Sequence, residues 1–163
     1  MPASLTTCHG QASIPDRPAP PVPEGLSYSL TLPAAPQSPG IARAATRTIL
    51  RAHGLEGITE ASVQVMSELV TCACRFTPTA EVYMALCYRD EALRLILFDG
   101  HPRHTHPRLA AACEARRRSA LRVMACVVRA CRGDWGFGDA REPGGGTRMW
   151  AVLPKDNARR YVA

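Results

Sequence analysis

The sequence predicts an α+β domain, a two-layer sandwich with helices on one face of a mixed, mostly antiparallel sheet. Three observations carry that expectation. Strand-like and helix-like segments follow one another in the order βααββαββ, so that paired strands alternate with helices. The stretch Leu93-Arg-Leu-Ile-Leu-Phe98 is almost wholly apolar and suits a central strand. No internal repeat is present, and hydrophobic residues make up 46 % of the 163, enough for one core. Aromatics are only 6 %, so that core must rest on Ala, Val, Leu and Ile.

The elements are justified in chain order. Residues 1–26 hold Pro15, Pro18, Pro20, Pro21 and Pro23 with little apolar content. Such a segment buries too little surface to offset its ordering entropy, so it is expected to be a flexible tail. The domain, residues 27–154, opens with the alternation Tyr28-Ser-Leu-Thr-Leu32, a half-buried strand. Ser38-Pro39 reads as a helix start, Ile41, Ala44, Ala45, Thr48, Ile49 and Ala52 as its stripe, and Gly54 as its stop. Thr59 caps a second helix that turns Val65, Met66, Leu69, Val70 and Ala73 inward, and Pro78 bars its continuation. Two strands follow, Glu81 to Tyr88 and Ala92 to Asp99, joined at Arg89-Asp90-Glu91. A polar loop from Gly100 to Pro107 leads into one long helix, Leu109 to Arg132, which Gly133 ends. Strands at Trp135–Phe137 and Thr147–Leu153 close the domain around a glycine-rich turn, and residues 155–163 form a C-terminal tail.

Charge and cysteines narrow the function classes. The net charge is +6, yet between His101 and Arg132 eight arginines face one acid, Glu114. A basic stretch of this kind attracts phosphates, nucleic acid or an acidic partner. Helix-turn-helix, zinc-finger and aromatic RNA-binding motifs are all missing, so a nucleic-acid reading rests on those arginines alone. The cysteines number seven, an odd count with no C-x-x-C, and most sit in apolar segments. They read as reduced, buried small hydrophobes. His101, His104 and His106 stand near Cys113, but their spacing fits no closed tetrahedral zinc set. There is no apolar run of the ~20 residues a membrane helix needs. The first ten residues lack a basic and an apolar region, so a cytoplasmic location without membrane contact is the expectation.

Four stretches then carry a family resemblance. Glu68-Leu-Val-Thr-Cys-Ala-Cys-Arg75 is similar to the helix that binds Mg²⁺-ATP in the GHKL superfamily, the ATPases grouped around gyrase, histidine kinases and MutL. It looks closest to the form E-L-V-T-N-A of actinobacterial anti-sigma-factor serine/threonine kinases. Leu97-Phe-Asp-Gly-His-Pro102 resembles the D-G-x-P box that follows an apolar strand. Trp135-Gly136 and Gly145-Gly-Thr-Arg-Met-Trp150 look like the strands that close those domains. The resemblance spans about residues 28–153 and implies the GHKL, or Bergerat-type, fold.

What the resemblance implies for the site is uneven. Glu68 stands where the family glutamate polarises the attacking nucleophile. Four residues on, where the family asparagine holds Mg²⁺, stands Cys72. Mg²⁺ takes hard oxygen ligands, so a thiol there implies an impaired metal site and weak or absent catalysis. Asp99 matches the carboxylate that accepts a hydrogen bond from the adenine amino group, and Gly100 would let the backbone approach the base. Thr147 matches a threonine near the adenine. The family places a glycine-rich phosphate lid where this chain has Arg116-Arg-Arg-Ser-Ala-Leu121, so Arg117 and Arg118 are the candidates to grip phosphate by guanidinium forks.

The expectation is therefore an ATP-binding regulatory protein with a degenerate Mg²⁺ and phosphate site. By resemblance it controls transcription through a sigma factor or an anti-anti-sigma protein, and members of that family often form homodimers. The alternatives are an active ATP-dependent serine/threonine kinase of an anti-anti-sigma protein, and a basic nucleic-acid-binding module.

Overall fold

The computed structural model describes residues 20–141 and 145–161. The prolines at positions 15 and 18 lie outside them. Strands Ser27–Pro33 (β1), Glu81–Arg89 (β2), Ala92–Asp99 (β3), Asp134–Asp139 (β4) and Thr147–Pro154 (β5) form a five-stranded sheet in the order β1-β2-β3-β5-β4. All four pairings are antiparallel, so the sheet is not mixed. β2–β3 and β4–β5 are hairpins, and the two helices between β1 and β2 bring the chain back in the opposite direction. Strand β4 runs the same way as β3 but is separated from it by β5, so no neighbouring strands are parallel.

Side chains alternate across the sheet with period two. Met84 and Leu86 of β2, Leu93, Leu95 and Leu97 of β3, and Met149, Ala151 and Leu153 of β5 point into the core. Tyr83, Ile96, Phe98 and Trp150 occupy the opposite face and stay partly exposed. One helix, Thr59–Phe76 (α2), lies across the centre of the inner face, against β2, β3 and β5. Its Val65, Met66, Leu69, Val70 and Ala73 are fully buried, as the periodicity of the sequence requires. Helix Ser38–Ala52 (α1) packs beside it. The buried stripe of α1 is Ala42, Thr46, Ile49 and Leu50, whereas Ile41, Ala44 and Thr48 are exposed. Small and β-branched residues occur all round this helix, so the expected stripe was placed one position out of phase, and Leu50 sets the true one.

The long third helix is two helices. Pro107–Ala120 (α3) and Arg122–Ala130 (α4) meet at Leu121, whose ψ of 11° takes it out of helical geometry. Leu121, Met124 and Val128 are buried from that point on, while α3 buries only Arg117. The break lets α4 pack on α2 while α3 reaches the end of β3 through Arg117 and Asp99.

The ends also differ from expectation. Pro23–Gly25 form a single 3₁₀ turn, the Val22 carbonyl contacts His53 Nδ1 at 2.6 Å, and Leu26 is buried. At the other end Lys155–Ala158 (α5) are helical, Ala158 is buried and Tyr161 packs on the core, so residues 155–161 are not a tail. Lys155 is drawn in by Glu91, which accepts hydrogen bonds from both the Lys155 ammonium (3.2 Å) and Tyr88 Oη (3.1 Å). No helix among the described residues is long and apolar enough to cross a membrane.

Candidate functional site

The predicted residues converge where α2 ends, β3 ends and α3 begins its last turns. Asp99 follows Leu93, Leu95 and Leu97 on the inward side of β3, so strand alternation alone drives its carboxylate beneath the helices. There it meets Arg117, whose Nη1 donates to Asp99 Oδ2 at 2.7 Å. Both side chains are buried, with relative exposures of 0 % for Asp99 and 2 % for Arg117. The second carboxylate oxygen accepts the His101 backbone N–H at 2.9 Å. A carboxylate has no donor to offer, and here each of its oxygens already holds one.

Arg117 is anchored on other sides as well. Nη1 also lies 3.2 Å from the Met149 sulfur, and the guanidinium carbon sits 4.6 Å from the centre of the Phe76 ring, a cation–π distance. Its Nη2 is buried without a hydrogen-bond acceptor. Cys72, one α2 turn before Phe76, is buried in the same region. Burial pushes the Cys72 thiol up to about 11, against a smaller downward pull from Arg117. A neutral thiol is no ligand for a hard cation.

Glu68 shares the α2 face one turn earlier and is half-buried, accepting a hydrogen bond from Gln64 Nε2 at 3.1 Å. Thr147 is the β5 partner of Asp99 in the sheet register, and its hydroxyl reaches the His101 carbonyl at 3.5 Å. Gly100 is needed for a different neighbour than a base. A Cβ there would collide with Thr79, while the Gly100 N–H donates to Thr77 Oγ1 at 3.0 Å. Arg118, adjacent to Arg117 in sequence, turns outward. It pairs with Glu114 at 2.9 Å and lies 5.3 Å from the Phe137 ring centre. Of the two arginines proposed to grip phosphate, one is therefore buried on Asp99 and the other lies over an aromatic pair at the surface.

The test of ATP against this geometry is unfavourable. The Asp99 carboxylate is wholly buried beneath Arg117, so the adenine amino group that the resemblance assigns to it has no access while the pair stands. The space above Gly100 is filled by Thr79, and Cys72, to which the resemblance assigns the place of a Mg²⁺ ligand, is a buried thiol. As built, these residues do not fit the nucleotide.

Sequence reasoning missed Phe76, Met149, Thr77 and Thr79 as partners of this site. Phe76 is the last residue of α2, and Met149 falls on the inward side of β5 two positions after Thr147, so pattern alone could have found them. It also set aside the histidines. His101, His104 and Cys113 are brought together, with the ligand atoms of all three within 4.8 Å of one another. His106 stands apart, exposed, as the residue that precedes α3.

No protein-family profile and no curated protein matches this chain. Among solved structures it is similar to the histidine kinase domain of the blue-light activated histidine kinase from Erythrobacter litoralis EL346. The two share 15 % identity over 78 % of this chain and 64 % of that one, with a TM-score of 0.42. The chain thus spans under two thirds of that domain's length, and a likeness this distant says nothing of its activity.

Proposed function

We propose that this chain is a regulatory protein on a histidine kinase-like ATPase scaffold, acting by binding a protein partner rather than by phosphoryl transfer. By resemblance that partner is a sigma factor or an anti-anti-sigma protein. One observation carries the reading: Asp99, the residue that by resemblance would recognise adenine, is neutralised internally by the buried Arg117. Breaking such a pair leaves an uncompensated buried charge, at about 3–5 kcal/mol. ATP therefore reaches Asp99 only in a state that Arg117 has left. The buried thiol at Cys72 supports the same reading, since Mg²⁺ finds no oxygen ligand there. The partly exposed sheet face with Tyr83, Ile96, Phe98 and Trp150 supplies apolar surface of the kind partners use.

Titration with ATP, with and without Mg²⁺, tests this directly. The native chain is expected to show no saturable binding at physiological nucleotide concentrations, and its partner should associate equally well with or without ATP. The double variant Arg117→Ala, Cys72→Asn should acquire Mg²⁺-dependent binding. Micromolar Mg²⁺-ATP binding by the native chain, with phosphate appearing on a serine of the partner, would overturn the reading in favour of an active kinase.

A further inference from the structure

Outside the Asp99–Arg117 pair, the structure gathers three chemically matched side chains that the nucleotide reading does not use. We propose that His101, His104 and Cys113 form a binding site for one divalent cation of the zinc class, with a coordination position left open to the adjoining cavity. The proposal is independent of whether ATP binds.

Geometry comes first. His101 Nε2 lies 3.2 Å from His104 Nε2 and 3.0 Å from Cys113 Sγ. In a tetrahedral zinc site, bond lengths of about 2.0–2.1 Å to nitrogen and about 2.3 Å to sulfur put N···N near ~3.3 Å and N···S near ~3.6 Å. The nitrogen pair is already at that spacing, and the sulfur needs only a small rotation about its side chain.

Hydrogen bonding supplies a second, separate argument. His101 Nδ1 is 3.0 Å from the carbonyl oxygen of Phe76, which can only accept, so Nδ1 carries the proton. That carbonyl belongs to the last residue of α2, where helix carbonyls lack intrahelical partners. The tautomer is thereby fixed, and Nε2 presents a bare lone pair. A metal-bound histidine is oriented in the same way, with its other ring N–H on a backbone carbonyl. The single lone pair of Nε2 faces two neighbours at hydrogen-bonding distance, more than it can satisfy. A cation at their common centre resolves the conflict, because each of the three atoms then donates its own electron pair to it.

The donor set decides the class of ion. Two imidazoles and a thiolate suit borderline metals such as Zn²⁺ or Co²⁺, whereas Mg²⁺ and Ca²⁺ require oxygen ligands. On binding, the Cys113 S–H bond breaks, its electron pair goes to the metal and its proton to solvent, while both imidazoles bind neutral. The three ligands line a cavity of about 360 Å³ shared with Glu114, Phe137, Asp139 and Thr147. Its two carboxylates are engaged elsewhere, Glu114 with Arg118 and Asp139 with Arg103 at 3.1 Å. The fourth position thus falls to water or to a small anionic or thiol ligand entering the cavity. An open position of this kind distinguishes the site from a closed structural one. The two arginines that line this cavity are both paired, Arg117 with Asp99 and Arg103 with Asp139, which blunts their opposition to a cation.

Cobalt titration of the full-length, chelator-stripped and reduced protein tests the proposal. One equivalent of Co²⁺ should produce intense tetrahedral ligand-field bands in the visible and a thiolate-to-cobalt charge-transfer band in the near ultraviolet, both displaced by Zn²⁺ and neither by Mg²⁺. Cys113→Ser should abolish the charge-transfer band, and His104→Ala, a half-exposed loop change, should weaken affinity at least tenfold, the order seen for disturbed ligand shells. Cys126→Ser, which alters an exposed thiol on α4, should change nothing. Absence of these bands from the native protein overturns the site. So does a spectrum and affinity left intact in both Cys113→Ser and His104→Ala, since the metal would then sit on other ligands.

Discussion

At the scale of single residues, Asp99 and Arg117 decide what the centre of the site can do, because both are buried and each neutralises the other. Strand periodicity made Asp99 an inward residue, and a carboxylate under helices must find a partner. What no periodicity revealed is which of three consecutive arginines would supply it. Arg116, Arg117 and Arg118 look alike in sequence, and only the docking angle of α3 selects the middle one. Buried ion pairs are costly to break and cheap to replace in full. Arg117→Met should therefore lower the unfolding free energy by about 3–5 kcal/mol, because Asp99 keeps its charge without a counter-ion. Adding Asp99→Asn to that variant should restore most of the loss. Urea denaturation of the two variants checks this, and equal damage in single and double variants would mean that the pair does not couple. Gly100 makes the opposite lesson. Its identity reads as room for a ligand, but the room belongs to Thr79.

At the scale of elements, the termini and joints were harder to read than the elements themselves. Strands β2 and β3 were legible as short apolar runs on either side of the turn Arg89-Asp90-Glu91, β5 as the run that follows the glycine-rich turn, and α2 because its apolar stripe is continuous. The joint at Leu121 carries neither glycine nor proline, so nothing in the sequence marked it. Helix ends show how close the remaining reading came. After α1, the Leu55 N–H bonds the Leu50 carbonyl and the Gly54 N–H the Arg51 carbonyl, a Schellman motif with Gly54 at φ 67°. After α4, the Gly133 N–H bonds Val128 and the Arg132 N–H bonds Arg129, the same motif with Arg132 at φ 50°. Gly133 is thus one place beyond the left-handed position, and it is glycine because a Cβ would strike the Val152 carbonyl. A left-handed arginine carries about 1–2 kcal/mol of backbone strain that glycine avoids. Part of that is offset by the greater freedom of glycine in the unfolded chain. Arg132→Gly, at an exposed position, should accordingly stabilise the protein by about 0.5–1 kcal/mol and raise its Tm by a few degrees in thermal unfolding.

At the scale of the whole molecule, the fold class was legible and the division of labour within it was not. Seven of the eight arginines between His101 and Arg132 are exposed and make a basic surface around α3 and α4. The eighth is the one fixed point by which α3 enters the core. That helix is therefore held by Arg117 from within and, one turn earlier, by Cys113 against the loop that bears His101 and His104. A segment with so little buried surface belongs to the low-stability end of the structure. Amide hydrogen exchange should find α3 far less protected than α2. Zn²⁺ should slow exchange in residues 100–120 while leaving β1 and α1 unchanged, and Cys113→Ser should remove that response without altering the exchange of α2. If α3 already exchanges as slowly as α2 without metal, contacts beyond Arg117 hold it, and a Zn²⁺ response spread evenly over the sheet would show that the ion stabilises the fold globally rather than by clamping this helix to its loop.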